Sequence, residues 1–321
     1  MSGIDERSDS VFRDEADEKS QTSRRSERPA EAKRPAGKYH AKRRFPGAKT
    51  LLFAMVKYGS LVLVCFAVIL PLSALFLTAF KTHKEFFNTA PLDLPGNFLN
   101  FDNFATAWNA GHMFNGFINT SIILAVSLTG SILFGTMAAY AIDRFQFRGR
   151  KILVFLFLLA AIVPSITQQV ATFQVISFLG LFDTRLSAIA LFVGTDIIAI
   201  YIFVQFMRTI PVALDEVALL DGASHWFIYR HIALPLMKPA IVTVMIIRGV
   251  AIYNEFYIPY LYMPDPNLHV VSTSLQSFNG TFGARFEVIA AGVIITMLPT
   301  LVIFLGLQKF IYSGLTRGTT R

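Results

Sequence analysis

Apolar residues fall in long, nearly uncharged runs, and the runs set the architecture. They cover 59–80, between Lys57 and Lys81, then 117–142, 152–171, 186–207, 239–263 and 288–308. A helix rises about 1.5 Å per residue, so about 20 apolar residues cross a hydrocarbon core of about 30 Å. The pattern predicts an all-α polytopic membrane protein with six transmembrane helices, the first kinked at Pro71. Ahead of them, residues 1–32 mix Ser, Glu, Asp and Arg with almost no large apolar side chains. Such a segment buries too little surface to offset its ordering entropy. The chain therefore divides into a disordered basic tail, 1–57, and a six-helix domain, 58–321.

Composition agrees and narrows the class. The chain is 54% hydrophobic and 16% charged, against about 45–50% and about 25% in soluble domains. That excludes a soluble enzyme and a nucleic-acid-binding domain. The formal net charge of +8 needs no nucleic acid, because the cations sit where they orient a membrane protein. The connections 143–151 and 208–238 and the C-terminus hold ten Lys/Arg, and the other three connections hold four. By the positive-inside rule both termini are cytoplasmic. From Lys33 to Lys57 the tail carries eight cations and no acid, which fits that topology; a second reading has these cations holding anionic lipid headgroups. No short cationic start followed by an apolar core opens the chain, so insertion is expected to begin at the first span. One cysteine, Cys65, excludes an internal disulfide and a cysteine-based metal site.

The cytoplasmic connection 208–239 is too patterned for a linker. Pro211 suits a first helical turn, 213–220 are good helix formers, and Gly222 stands where a helix exits through a left-handed residue. A second short helix is expected over 224–233, ending ahead of Pro235. The loop is thus predicted to be a helix-turn-helix on the cytoplasmic face.

Glu216-Val217-Ala218, Gly222 three residues on, Ile232 nine further and then Leu234-Pro235 resemble the E-A-A-x3-G-x9-I-x-L-P signature of ABC importer permeases, with Val217 for the usual alanine. Thr78 to Lys81, Phe117 to Thr120, Ala138 to Arg150, Gly180 to Thr184, Asn254-Glu255-Phe256 and Gly314-Leu315-Thr316 are similar to the maltose-type (MalG-like) carbohydrate branch. The likeness spans about 57–318. It implies the type I importer permease fold, with Glu216, Ala218, Asp221, Gly222, Ala223, Ile232, Leu234 and Pro235 as the ATPase-coupling residues. It also implies a complex in the bacterial cytoplasmic membrane that moves a sugar, an oligosaccharide first, by alternating access. The implied partners are a second six-helix permease, two ATPase subunits, an extracytoplasmic solute-binding protein and membrane lipid, with no nucleic acid. No G-x-x-x-x-G-K-[ST] loop is present, since Gly37-Lys38 is followed by Tyr39. The chain is therefore expected to be a transport subunit rather than an enzyme and to bind no cofactor, with ATP and magnesium on the partner ATPase.

Asp196, Arg248 and Glu255 are ionisable at membrane depth, where such groups face a cavity or a partner. With Asn254 they are the candidate translocation-path residues. Arg248 and Glu255, seven apart, are expected on one helix face about 10 Å apart along the axis. Two readings stand for Arg248: a polar stripe along the path, or structural pairing with Asp196 or a second permease chain. No aromatic is singled out as a sugar contact, because Phe is ordinary lipid-facing mass. The competing functions are a polyol or glycerol phosphate permease of the same type and, more remotely, an ion-coupled transporter or channel.

Overall fold

The computed structural model describes residues 48–194, 197–280 and 283–316. The expected disordered tail, up to residue 47, and Asp196 lie outside them. The chain falls into two units, 1–62 and 63–321; the described residues of the first, 48–62, are helical, and the buried clusters belong to the second. Among the described residues the architecture is helical apart from two two-residue strands, β1 (Asn279–Gly280) and β2 (Gly283–Ala284), paired antiparallel.

Three helices are long and apolar enough to cross a membrane: α1 (Ala48–Phe80), over Met55–Phe80; α4 (Met113–Arg144); and α13 (Phe286–Thr316), over Phe286–Ile303. Helix α1 starts inside the expected tail, because the apolar run already begins at Leu51. Two bent pairs pass the same test. They are α7 (Arg185–Gly194) with α8 (Ile197–Met207), bent by 40°, and α10 (His225–Leu236) with α11 (Lys238–Asn254), bent by 69°. These make up to five candidate spans among the described residues.

The expected third span, 152–171, is not one helix. It divides into α5 (Arg150–Ile162), a 3-10 turn at Ser165–Gln168 and α6 (Gln169–Phe178). Pro164 causes the break: it has no N–H and drives Val163 out of the helical region, to φ −70° and ψ 121°. The expected fifth span, 239–263, likewise stops at Asn254, with Glu255 extended and a separate short helix, α12 (Tyr257–Tyr262), beyond it.

The connection after α1 is tightly tied down. Lys81, the first cation of the connection, is buried and donates to Ala90 O at 2.6 Å and Thr89 Oγ1 at 3.0 Å. Helix α2 (His83–Asn88) opens with a Thr82/Glu85 capping box, and α3 (Asp102–Ala110) follows. The Thr82 N–H on its carboxylate, ahead of the Thr82 hydroxyl and Gly96 N–H, holds Glu85 below the usual carboxylate range. Asn103 donates to Ala79 O and Lys81 O, binding α3 to the end of α1.

Helix α4 runs through the centre of the packing. Gly130 and Gly135 let neighbours approach, since a Cβ there would lie 2.7 Å from Val193 Cγ2 and 2.9 Å from Phe203 Cδ2. Small residues at such crossings are how membrane helices bring their backbones together. At the start of α4, Asn119 donates to Asn267 O and His269 O and accepts from Arg185 Nε, while Thr120 Oγ1 accepts from Val271 N–H. At its far end Ala139, Tyr140 and Ile142 join Phe203, Met207, Ile228, Tyr229, Met237 and Val244 in the largest buried cluster.

Candidate functional site

The patterned connection folds as two helices around a left-handed glycine. Helix α9 (Ala213–Leu220) carries Asp215 and Glu216 in its first turn, where carboxylates complement the helix dipole. It closes with Ala223 N–H on Ala218 O at 2.9 Å and Gly222 N–H on Leu219 O at 3.0 Å, the paired bonds of a Schellman end. Gly222 sits at φ +82°, as that end requires. Ser224 then caps α10 by accepting from Phe227 N–H.

The second helix is longer than its sequence predicts. It passes Ala233 and Pro235 and ends at Leu236. The reason is a π turn over Tyr229–Ala233, with Leu234 N–H on Tyr229 O. Widening the turn ahead of Pro235 accommodates the missing N–H and the ring that would otherwise stop the helix.

The signature residues divide by exposure. Glu216, Asp221, Gly222 and Pro235 are exposed, while Ala218, Ala223, Ile232 and Leu234 are half-buried and pack on the large cluster at the end of α4. One edge of α9 thus grips the membrane domain. The other presents Glu216 and the apolar side chains Leu214, Val217 and Leu220, the last 88% exposed.

The strongest anchor is not among the residues singled out from sequence. Asp215 is buried, and its Oδ2 accepts from Arg144 Nε at 2.6 Å. Arg144 also donates from Nη2 to Ile210 O at 2.9 Å and from Nη1 to Asp143 Oδ2. Thr136 and Tyr229 hydroxyls bond at 2.9 Å, and the Tyr140 and Phe145 rings pack on Tyr229 and His225. The sequence signal is the charged pair Asp143-Arg144 at the end of an apolar run, with a second carboxylate beside Glu216.

The membrane-depth candidates do not form one stripe. Arg248 lies within α11 and donates from Nη2 to Phe192 O at 3.2 Å. Glu255 is outside that helix, so the two do not share a helix face. Its carboxylate instead accepts from Tyr257 N–H at 3.0 Å and Ile258 N–H at 3.3 Å, capping α12, and its carbonyl accepts from Ser272. Asn254 is exposed at the end of α11, with Nδ2 on Val250 O.

Residues 131–317 match the family model described as the binding-protein-dependent transport system inner membrane component. The melibiose/raffinose/stachyose import permease MelC of Bacillus subtilis is 30% identical over 278 residues, covering 85% of this chain and 99% of that one. The diacetylchitobiose uptake permease NgcG of Streptomyces coelicolor is 28% identical, covering 84% and 89%. Among solved structures, a chain of a bacterial ABC transporter involved in import of the acidic polysaccharide alginate is similar with a TM-score of 0.72 at 18% identity, covering 83% of this chain and 98% of that one. These relatives are transport components rather than enzymes, and the structural likeness is one of fold.

Proposed function

Because the chain belongs to the family of binding-protein-dependent transport system inner membrane components, we propose that it is one permease half of an ATP-driven, alternating-access importer for an oligosaccharide. Relatives named for melibiose, diacetylchitobiose and arabinooligosaccharides support the substrate class. In this reading the partners are a second six-helix permease, two ATPase subunits that hold ATP and magnesium, and an extracytoplasmic binding protein. Three continuous helices and two bent pairs supply five crossings, and the broken segment 150–178 supplies the sixth. Both termini and the coupling loop are cytoplasmic.

The observation that carries the reading is the Arg144–Asp215 ion pair. It joins an exposed two-turn helix to the end of the central helix α4, so a push on α9 moves the membrane domain as a rigid body. Glu216, Asp221 and the exposed apolar side chains of α9 are the docking surface for the motor. Gly222 sets the angle at which the second helix leaves. Ala223, Ile232, Leu234 and Pro235 hold that second helix on the core.

The interruption of helix at 254–257 supports the path assignment. Irregular backbone at membrane depth is tolerated where it is buried in protein or lines a water-filled cavity. Asn254, at that break, and Arg248, earlier in the same helix, are the path residues this chain contributes. Proteoliposomes holding the two permeases and the ATPase test the proposal. Uptake of a labelled oligosaccharide should require ATP and the binding protein; uptake of a polyol alone would move the assignment to the polyol branch, and uptake driven by an ion gradient without ATP would contradict it.

A further inference from the structure

A cavity of about 230 Å³ opens between α4, α5 and α8. Its walls are almost wholly apolar, with Ile142, Val154, Phe157 and Val204 among the residues that build them; Tyr201, Gln205 and Arg208 also line it. Gln205 and Arg208 are exposed. Arg208 Nε and Arg150 Nη2 form long ion pairs with Asp143 Oδ1, at 4.0 and 3.9 Å, too far for a hydrogen bond, so their N–H donors are not taken up by that carboxylate oxygen. Two guanidinium groups therefore gather beside the apolar cavity, where α4 and α8 end and α5 begins.

That position is the membrane–water boundary of an apolar span. A greasy slot with cations at its rim matches one kind of occupant, an amphiphile with an anionic head. Its acyl chain fills the slot. Its phosphate takes N–H donors from Arg208 and Arg150, whose planar forks suit phosphate oxygens. Neither a sugar nor a water cluster fits walls with so few polar atoms. We propose that this cavity holds one acyl chain of an anionic phospholipid, with the headgroup against Arg208 and Arg150. The site wedges between α5 and α8, next to Asp143 and Arg144, so the bound lipid braces the segment through which α9 reaches α4.

The test uses the purified permease complex, incubated with radiolabelled phosphatidylglycerol or phosphatidylcholine in mixed micelles and passed through gel filtration. Wild type should retain phosphatidylglycerol in preference to phosphatidylcholine. Val154→Trp, which fills the slot, should lose most of the retained phosphatidylglycerol. Arg208→Gln, an exposed change that spares the core, should weaken phosphatidylglycerol retention about fivefold and leave phosphatidylcholine unchanged, as expected for one cation near the headgroup. Equal retention of the two lipids by wild type, or undiminished phosphatidylglycerol in Arg208→Gln, would overturn the proposal. So would a Val154→Trp complex that fails to assemble with the second permease while Arg208→Gln binds lipid normally, since that places a partner helix in the slot.

Discussion

Arg144 Nε lies 2.6 Å from Asp215 Oδ2, and neither side chain is more than 7% exposed. The contact ties the last residue of a 32-residue helix to the first turn of an eight-residue one. A short helix of that length has little stability of its own. Its position is set by this pair and by the half-buried side chains of Ala218 and Ala223 on the cluster beneath.

Arg144→Met leaves the buried Asp215 carboxylate uncompensated, at a cost of about 3–5 kcal/mol, whereas Asp215→Ala leaves Arg144 its bonds to Asp143 and Ile210 and costs less. Asp215→Ala and Arg144→Met should each lower the melting temperature of the purified complex, and the apolar double variant Arg144→Met/Asp215→Leu should melt closer to wild type than either. Single variants that melt like wild type would show that the pair does not brace the loop.

Gly222 is a matter of backbone rather than space. A Cβ there would meet nothing within 4 Å, yet φ is +82°. Gly222→Val should therefore strain the turn by about 1–3 kcal/mol and reduce import, whereas Gly222→Asn, which tolerates the left-handed region, should keep most of it. Transport rates for the two variants at equal complex yield decide the point; an equal loss in both would mean that the position is closed sterically by a partner.

Glu255 caps a helix, so acceptor capacity matters more than charge. Glu255→Gln should transport near the wild-type rate, while Glu255→Ala should destabilise the complex by about 1 kcal/mol through the lost cap on Tyr257 and Ile258. If Glu255→Gln abolishes uptake with the complex intact, the carboxylate acts on the substrate path instead.

Reporter fusions at Arg321 and beside Asn97 should report opposite compartments, the C-terminal one cytoplasmic, because ten loop and C-terminal cations oppose four. The same compartment for both would contradict an odd number of crossings between them.

Much of the connection 208–239 is readable in the sequence because its signals are local. Ala213 to Leu220 form a helix by propensity, Gly222 ends it, Ser224 begins the next, and each signal sits within a few residues of its effect. Features that escape a sequence reading depend on distance along the chain or on competition between rules. The run 152–171 is apolar enough to cross, and Pro164 overrides it by breaking the helix; hydropathy counts side chains and not missing N–H groups. Pro235 misleads in the opposite sense, since a π turn upstream lets the helix continue through it. Arg144 and Asp215 are 71 positions apart, and nothing in either neighbourhood names the other. Seven-residue spacing places Arg248 and Glu255 on one face only if the helix runs past Asn254, and it does not.

In the proposed importer the exposed edge of α9 takes the push from a separate ATPase. The most direct measurement is the ATP hydrolysis of the reconstituted complex, with and without sugar-loaded binding protein, in Glu216→Lys and Leu220→Asp variants. Both side chains are exposed, so the melting temperature should stay within the small range of surface changes, about ±0.5 kcal/mol in stability. Loss of a charge-assisted bond of about 1.5–3 kcal/mol and of an apolar anchor should abolish stimulation by the binding protein and cut import at least about tenfold. Full stimulation and normal import in both variants would contradict the account.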